Sequence, residues 1–296
     1  MALKKPSFTL DENVQPERIA KRMARAGLCS RREAESWIRA GRVMVNGTLL
    51  ETPAYIVRPK DRIIVDNKSL PKPEATRLWR YYKPRGLVVS HQDEQSRDTI
   101  FDRVKNRLPR VISVGRLDLD SEGIILLTND GGLARYLELP STGWIRKYRV
   151  RIYGRVEEKQ LEELKYGLTV DGIRYGSLLA RLDKQMKSNA WLTIAIKEGK
   201  NREIRRVMEH LGYSVSRLIR ISYGPFQLGN MEDDDLKEIK QTVLREQLGE
   251  TVKIEKKQNI SVEKQNIVSE KHNSVLIKSR YKNANNRRGK ARRQVS

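Results

Sequence analysis

Residues 114–131 read VGRLDLDSEGIILLTNDG, and this run decides how the middle of the chain folds. Ile124 to Leu127 is an apolar block far too short to span a bilayer, and Ile124 to Thr128 is read as a buried strand. The chain enters it from an acidic, glycine-flanked bend and leaves it through Thr128-Asn129-Asp130-Gly131, a run of turn formers. Further strands are expected at Gly86 to Ser90, Lys147 to Tyr153, Trp191 to Ile196 and Ser214 to Ile221, with helices over Glu157 to Tyr166 and Asn201 to Leu211. The spacing is irregular and no strand–helix–strand unit repeats. Residues 78–248 are therefore read as one α+β domain on a mixed, largely antiparallel sheet, long enough for one core and one cleft.

Upstream, Pro16 to Asp66 carries tighter local signals. Pro16, the apolar Ile19, Ala20, Met23 and Ala24, and then Gly27 predict a short amphipathic helix. Ser30-Arg31-Arg32-Glu33 has capping-box spacing for a second helix that would bury Ala34, Trp37 and Ile38 and stop at Gly41. Val43 to Leu50 reads as a hairpin around Asn46-Gly47, and Ile63-Ile64-Val65 would complete a small sheet. Arg22, Arg25, Arg31, Arg32 and Arg42 crowd this αβ module, a density suited to gripping phosphates. Lys68 to Thr76, with Pro71 and Pro73, reads as a linker. The plan is an extension 1–15, a module 16–70, a linker 71–77, the α+β domain 78–248 and a tail 249–296.

Across 296 residues, 60 Lys+Arg stand against 37 Asp+Glu, a net charge of +23 that points to a polyanionic partner. No stretch rich in Trp and Phe accompanies the charge, so nucleic acid is expected rather than a membrane. The N-terminus lacks the apolar block of a secretory signal, and one cysteine, Cys29, can neither close an intrachain disulfide nor supply a multi-cysteine zinc site. A reducing, cytoplasmic setting is expected. Thr251 to Ser296 carries 13 Lys+Arg against 3 Asp+Glu with a single aromatic residue, Tyr281. Such a segment cannot bury enough apolar surface to fold alone; it reads either as a solubilising extension or as an RNA-gripping arm.

Chemistry is narrowed first by elimination. His91, His210 and His272 lie far apart and fit no metal or triad pattern, and neither a Walker loop nor a dinucleotide glycine fingerprint occurs. What remains is the bend with Asp118, Asp120 and Glu122 at alternate positions. A calcium loop would need a twelve-residue ligand pattern that does not continue here. A glycosidase needs two carboxyls facing each other across a sugar, which one short loop rarely supplies. Turn-forming acids and a lone catalytic aspartate with bystanders both stay open.

The motifs themselves carry a resemblance. Residues 18–50, RIAKRMARAGLCSRREAESWIRAGRVMVNGTLL, resemble the small S4-like RNA-binding domain of ribosomal proteins. Lys83-Pro84-Arg85-Gly86, Gly115-Arg116-Leu117-Asp118, Arg146-Lys147-Tyr148-Arg149-Val150 and Glu198 to Arg206 occur in the order and spacing of the RsuA/RluB-type rRNA pseudouridine synthases. Within that group, Asn201 to Arg206 and Val215 to Arg220 look most like the RluB branch, which acts on large-subunit rRNA.

That resemblance implies uridine isomerisation: the bond from ribose to ring nitrogen breaks, the base turns, and a ring carbon rejoins the sugar. The reaction is redox-neutral and loses no group, so no cofactor or metal is implied. Asp118 would be the essential carboxylate, attacking the anomeric carbon or removing a sugar proton. A guanidinium is expected to hold it ionised, and by motif match that guanidinium is Arg205. Tyr148 would stack on the target base, and its alternation with Val150 and Ile152 equally fits a core aromatic. Arg116 would enter the space left by the flipped nucleotide. Lys83, Lys200, Arg202, Arg206 and Arg220 are expected to contact RNA along with the N-terminal arginines. The partner would be rRNA, the enzyme a monomer. A rival from another class is an RNA-binding or assembly protein that kept the fold and lost catalysis.

Overall fold

The structure, a computed structural model, describes residues 8–9, 16–248 and 252–253. Apart from those two short segments, the expectations for the extension 1–15 and the basic tail 249–296 lie outside the described residues.

The N-terminal module folds as its sequence signals require. Helices Ile19–Arg25 and Arg31–Arg39 pack on each other, and at the second both capping-box bonds are made: Glu33 N donates to Ser30 Oγ at 3.1 Å and Ser30 N to Glu33 Oε2 at 2.6 Å. Such a cap is worth about 1 kcal/mol. Ala34 and Ile38 enter the core with Ile19, Met23, Val43 and Val65, while Trp37 is half-buried. The hairpin Val43–Val45 to Thr48–Leu49 turns on Asn46 (φ +53°) and Gly47 (φ +86°), the left-handed pair that favours an Asn-Gly sequence. Ile63–Val65 joins the other edge as expected. Lys68–Ser69, read as linker, instead pairs with Ile63–Val65 as a fourth strand. The rest of the linker is pinned: Thr76 Oγ1 donates to Asp130 Oδ2 at 2.7 Å and Arg77 N to Asn129 Oδ1 at 2.8 Å.

The second domain is built on a nine-stranded mixed sheet. Its order is Leu178–Gln185, Asn189–Ile196, Arg146–Tyr153, Ser214–Tyr223, Glu122–Thr128, Leu78–Lys83 and Leu236–Glu238, with Ile112–Val114 and Phe226–Gln227 as side pairings. Every pairing is antiparallel except that of Glu122–Thr128 with Ser214–Tyr223. Glu122–Thr128 is buried along its whole length because both faces are covered: Ile125 and Leu127 join one core, Ile124 and Leu126 the other. The parallel contact pairs Gly123 with Arg220, and a Cβ at Gly123 (φ +101°) would overlap the Arg220 carbonyl oxygen. Only glycine allows this approach.

Two expectations about elements are corrected. Gly86 to Ser90 forms no strand; Gly86 N donates to Leu119 O at 2.8 Å and Val88 N to Asp98 O at 2.9 Å, so the segment braces the acidic bend. The helix expected to Tyr166 is α-helical over Glu158–Glu163 and closes as a 3₁₀ turn over Leu164–Tyr166.

Candidate active site

The acidic bend bridges Ile112–Val114 and Glu122–Thr128, and its backbone is tied from three directions. Gly115 N donates to Glu138 Oε1 at 2.7 Å, and Ser121 N to Asp118 O at 3.1 Å. From below, Lys83 Nζ donates to the carbonyls of Ser121 at 2.7 Å and Pro84 at 3.0 Å. Lys83 has no exposed surface, which corrects its assignment to RNA contact: it anchors the loop. Burial brings its ammonium down to about 8, with Asp118, Asp120 and Glu122 opposing that shift.

Asp118 lines a cleft of about 820 Å³, with its side chain 32% exposed. That volume lies within the range of a small-molecule or nucleotide pocket. Across the cleft, Arg202 Nη1 stands 3.7 Å from Asp118 Oδ2 and 3.3 Å from Asp120 Oδ1. Arg202 caps the helix Glu203–His210 in the left-handed region (φ +51°, ψ +29°), which costs a non-glycine residue roughly 1–2 kcal/mol. Arg205, expected to hold Asp118, is instead an Asp120 residue. Its Nη2 lies 3.2 Å from Asp120 Oδ2 and donates to Asp120 O at 3.1 Å, while Nη1 donates to Val215 O at 3.1 Å. The physical reason is position on the helix: Arg205 sits within the first turn, against the start of Ser214–Tyr223, and Arg202 sits at the end that opens on the cleft. Asp118 remains within the electrostatic field of Arg205.

Tyr148 is buried in the sheet core and also forms part of the cleft wall. Arg116 is exposed at the cleft. Arg220 is buried, with Nε donating to Ile124 O at 2.7 Å, so it belongs to the cleft floor rather than to an outer RNA grip. Beside it Arg146 Nη2 donates to the Tyr223 hydroxyl at 2.9 Å, and these two residues were not expected in the site. Arg146 stood in a quoted motif; nothing in the sequence singles out Tyr223. Lys200 lines the cleft while ion-paired to Glu198 at 2.8 Å, and Arg206 is half-buried away from it.

Glu203 is a further surprise. It is 3% exposed on the cleft wall, its Oε2 accepts from Lys200 N at 2.9 Å, and its Oε1 has no hydrogen-bond donor. Burial and the neighbouring Glu198 carboxylate push its carboxyl up to about 7.

In the N-terminal module the expected phosphate contacts divide. Glu17 is buried and draws in Arg22 at 2.7 Å and Arg25 at 3.7 Å, so the Arg22 guanidinium serves that internal pair and not an RNA grip. Arg42 is exposed but paired to Asp66 and set over the Trp37 ring, 4.4 Å from its centroid. Arg31 and Arg32 are exposed, and Arg31 lines a second cavity of about 510 Å³ between the module and the sheet domain, with Arg110 and His91. Burial pushes the Cys29 thiol up to about 11, leaving it unreactive at neutral pH. No helix among the described residues is long and apolar enough to cross a membrane.

Residues 77–210 match the family described as RNA pseudouridylate synthase, and residues 17–63 match the S4 domain. Over 228 residues the chain is 46% identical to an uncharacterized RNA pseudouridine synthase of Rickettsia felis, covering 77% of this chain and 99% of that one. It is 39% identical over 218 residues to the ribosomal large subunit pseudouridine synthase B of Salmonella typhi, covering 72% of this chain and 75% of the relative. A crystal structure of a pseudouridylate synthase shares the fold with a TM-score of 0.55 at 26% identity, covering 78% and 99% of the two chains. Fold and matched regions together define an RNA-modifying enzyme with an S4 domain at its N-terminus. The chain belongs to the RNA pseudouridine synthase family.

Proposed function

We propose that the protein isomerises one uridine of rRNA, in the large subunit, with Asp118 as the reacting carboxylate. The observation that carries this reading is a single aspartate in a nucleotide-sized cleft, braced from behind by Lys83 and faced by Arg202 at 3.7 Å. Both routes open to Asp118, attack on the anomeric carbon or abstraction of a sugar proton, start from the carboxylate anion. Tyr148 offers a ring on which the base can lie. Arg116 is the cation free to enter the duplex as the uridine leaves its stack, offsetting an unstacking cost of a few kcal/mol.

The redox-neutral exchange of one glycosidic bond for another calls for no cofactor. The reading takes the enzyme to act as a monomer. Likeness to the large-subunit synthase of Salmonella typhi supports the choice of subunit, and the cytoplasm is where rRNA of that kind is met. We assign the S4-like module to residues 16–70 and the catalytic domain to 78–248. The exposed Arg31, Arg32, Lys200 and Arg202 are the RNA contacts this reading retains. Mapping pseudouridines in rRNA from cells with and without the gene tests it: one site in large-subunit rRNA should vanish on deletion. An unchanged map would reject the reading.

A further inference from the structure

Over the three strands Leu178–Gln185, Asn189–Ile196 and Arg146–Tyr153, one face of the sheet is left uncovered by the described residues. Along Arg146–Tyr153 the side chains alternate strictly: Tyr148, Val150 and Ile152 enter the core, while Lys147, Arg149 and Tyr153 are exposed on the reverse side. The register carries this pattern across the neighbours. Arg149 stands opposite Thr193, which stands opposite Arg181; Arg151 stands opposite Trp191, which stands opposite Lys184. The result is an open antiparallel face that runs out to the free edge strand Leu178–Gln185. Tyr153 is 63% and Leu179 59% exposed there. The single acid in these rows, Asp183, is occupied by Arg181 at 3.0 Å and by the Thr193 hydroxyl at 2.7 Å. Arg149 lies over the Trp191 ring, 4.7 Å from its centroid.

We propose that this face is a second RNA-docking surface, separate from the cleft, that takes a single-stranded or looped segment of the substrate. The inference rests on the reading that the protein acts on RNA. A strongly cationic face repels a copy of itself, which argues against self-association, and complements a polyanion. Aromatic rings among arginines on an open sheet are suited to unpaired bases, which stack on the rings while phosphates meet the cations. Strands about 4.8 Å apart make the three of them roughly 10 Å wide, room for one or two nucleotides. Because Lys147 and Arg149 flank Tyr148 but point through the other side of the sheet, the segment bound here is not the flipped nucleotide. It would reach this face by passing around the Leu178–Gln185 edge.

The test uses the full chain and deproteinised rRNA. Replacing Lys147, Arg149 and Arg181 together by Gln should weaken rRNA binding roughly tenfold and reduce the slope of log K against log salt by about 2, at ~0.7 per lost single-strand phosphate contact. A control with Lys105, Lys159 and Lys240 changed to Gln should leave the slope nearer that of the wild type. Leu179→Glu, one exposed edge substitution, should weaken binding in the same direction, and melting curves check that both variants are folded. Ultraviolet cross-linking of the wild type should join rRNA to peptides containing Trp191 or Tyr153. If the wild type isomerises rRNA uridine but the triple variant binds with unchanged affinity and slope, the docking surface is refuted and the enzymatic reading stands. If the triple variant loses rRNA binding while the wild type isomerises nothing, the surface stands and the enzymatic reading fails. Displacement of rRNA by polyglutamate as readily as by RNA, or a dimer that the triple variant dissolves, would overturn the proposal for an acidic protein or a second copy.

Discussion

Arg205 Nη2 lies 3.2 Å from Asp120 Oδ2 and also donates to the Asp120 carbonyl, joining the helix Glu203–His210 to the loop two residues past Asp118. The ion pair with Asp118 itself falls to Arg202, whose side chain is more exposed. Structural and electrostatic duties are therefore carried by different arginines. Arg205→Ala should destabilise the fold by roughly 2–3 kcal/mol, because it removes the donors of the Asp120 and Val215 carbonyls and leaves the Asp120 carboxylate to Arg202 alone. Arg202→Ala should shift the melting temperature little, as exposed pairs contribute about 0–1 kcal/mol, and lower single-turnover isomerisation instead. Equal thermal losses in the two variants would contradict this division.

Asp118→Asn preserves the shape of the loop while removing the charge. Isomerisation should fall below detection while rRNA affinity stays within about twofold, since a carboxylate does not attract a phosphate. Residual turnover above a few per cent would remove Asp118 from the reaction.

Lys83→Met would leave the Ser121 and Pro84 carbonyls without their donor, beneath the loop that carries Asp118. Stability should drop by roughly 2–3 kcal/mol, and kcat should fall while rRNA affinity holds, because the loop no longer presents Asp118 at a set position. Were Lys83 a phosphate contact instead, affinity and its salt slope would change first.

Glu203 sets a pH dependence of definite sign. Its folded carboxyl sits at about 7 against an ordinary glutamate value of 4.5, so the native state holds the proton more tightly. Stability contributed by the protonated form is complete below about 4.5 and is lost as pH rises to about 7, a change on the order of 3 kcal/mol. Glu203→Gln keeps an acceptor for Lys200 N and should flatten the melting-temperature profile between about pH 4.5 and about pH 7. A parallel profile in both proteins would mean that Glu203 is ionised throughout.

Much of the architecture was legible because it depends on neighbours in the chain. The Ser30–Glu33 cap, the Asn46-Gly47 hairpin and the Ile124 to Leu127 strand need only short-range geometry, and each formed where expected. Leu78–Lys83 escaped because burial on both faces erases alternation: Leu78 and Tyr82 face one core, Trp79 and Tyr81 the other. The helix Gly131–Glu138 was hidden by its two leading glycines, and is started by Asp130, whose Oδ1 accepts from Gly132 N and Leu133 N.

The sequence by itself determined the α+β class, the basic N-terminal module and the loop that holds Asp118, since caps, turns and apolar periods act over a few residues. Only the tertiary structure decided which cation meets which carboxylate. Arg202 and Arg205 lie three positions apart on one helix, and their choice between Asp118 and Asp120 depends on how that helix docks on a loop some 80 residues earlier. The same holds for Lys83, drawn inward because three loop carbonyls converge where its ammonium can satisfy them. Charge count foretold an RNA partner; which charges remain free to meet it was settled by packing.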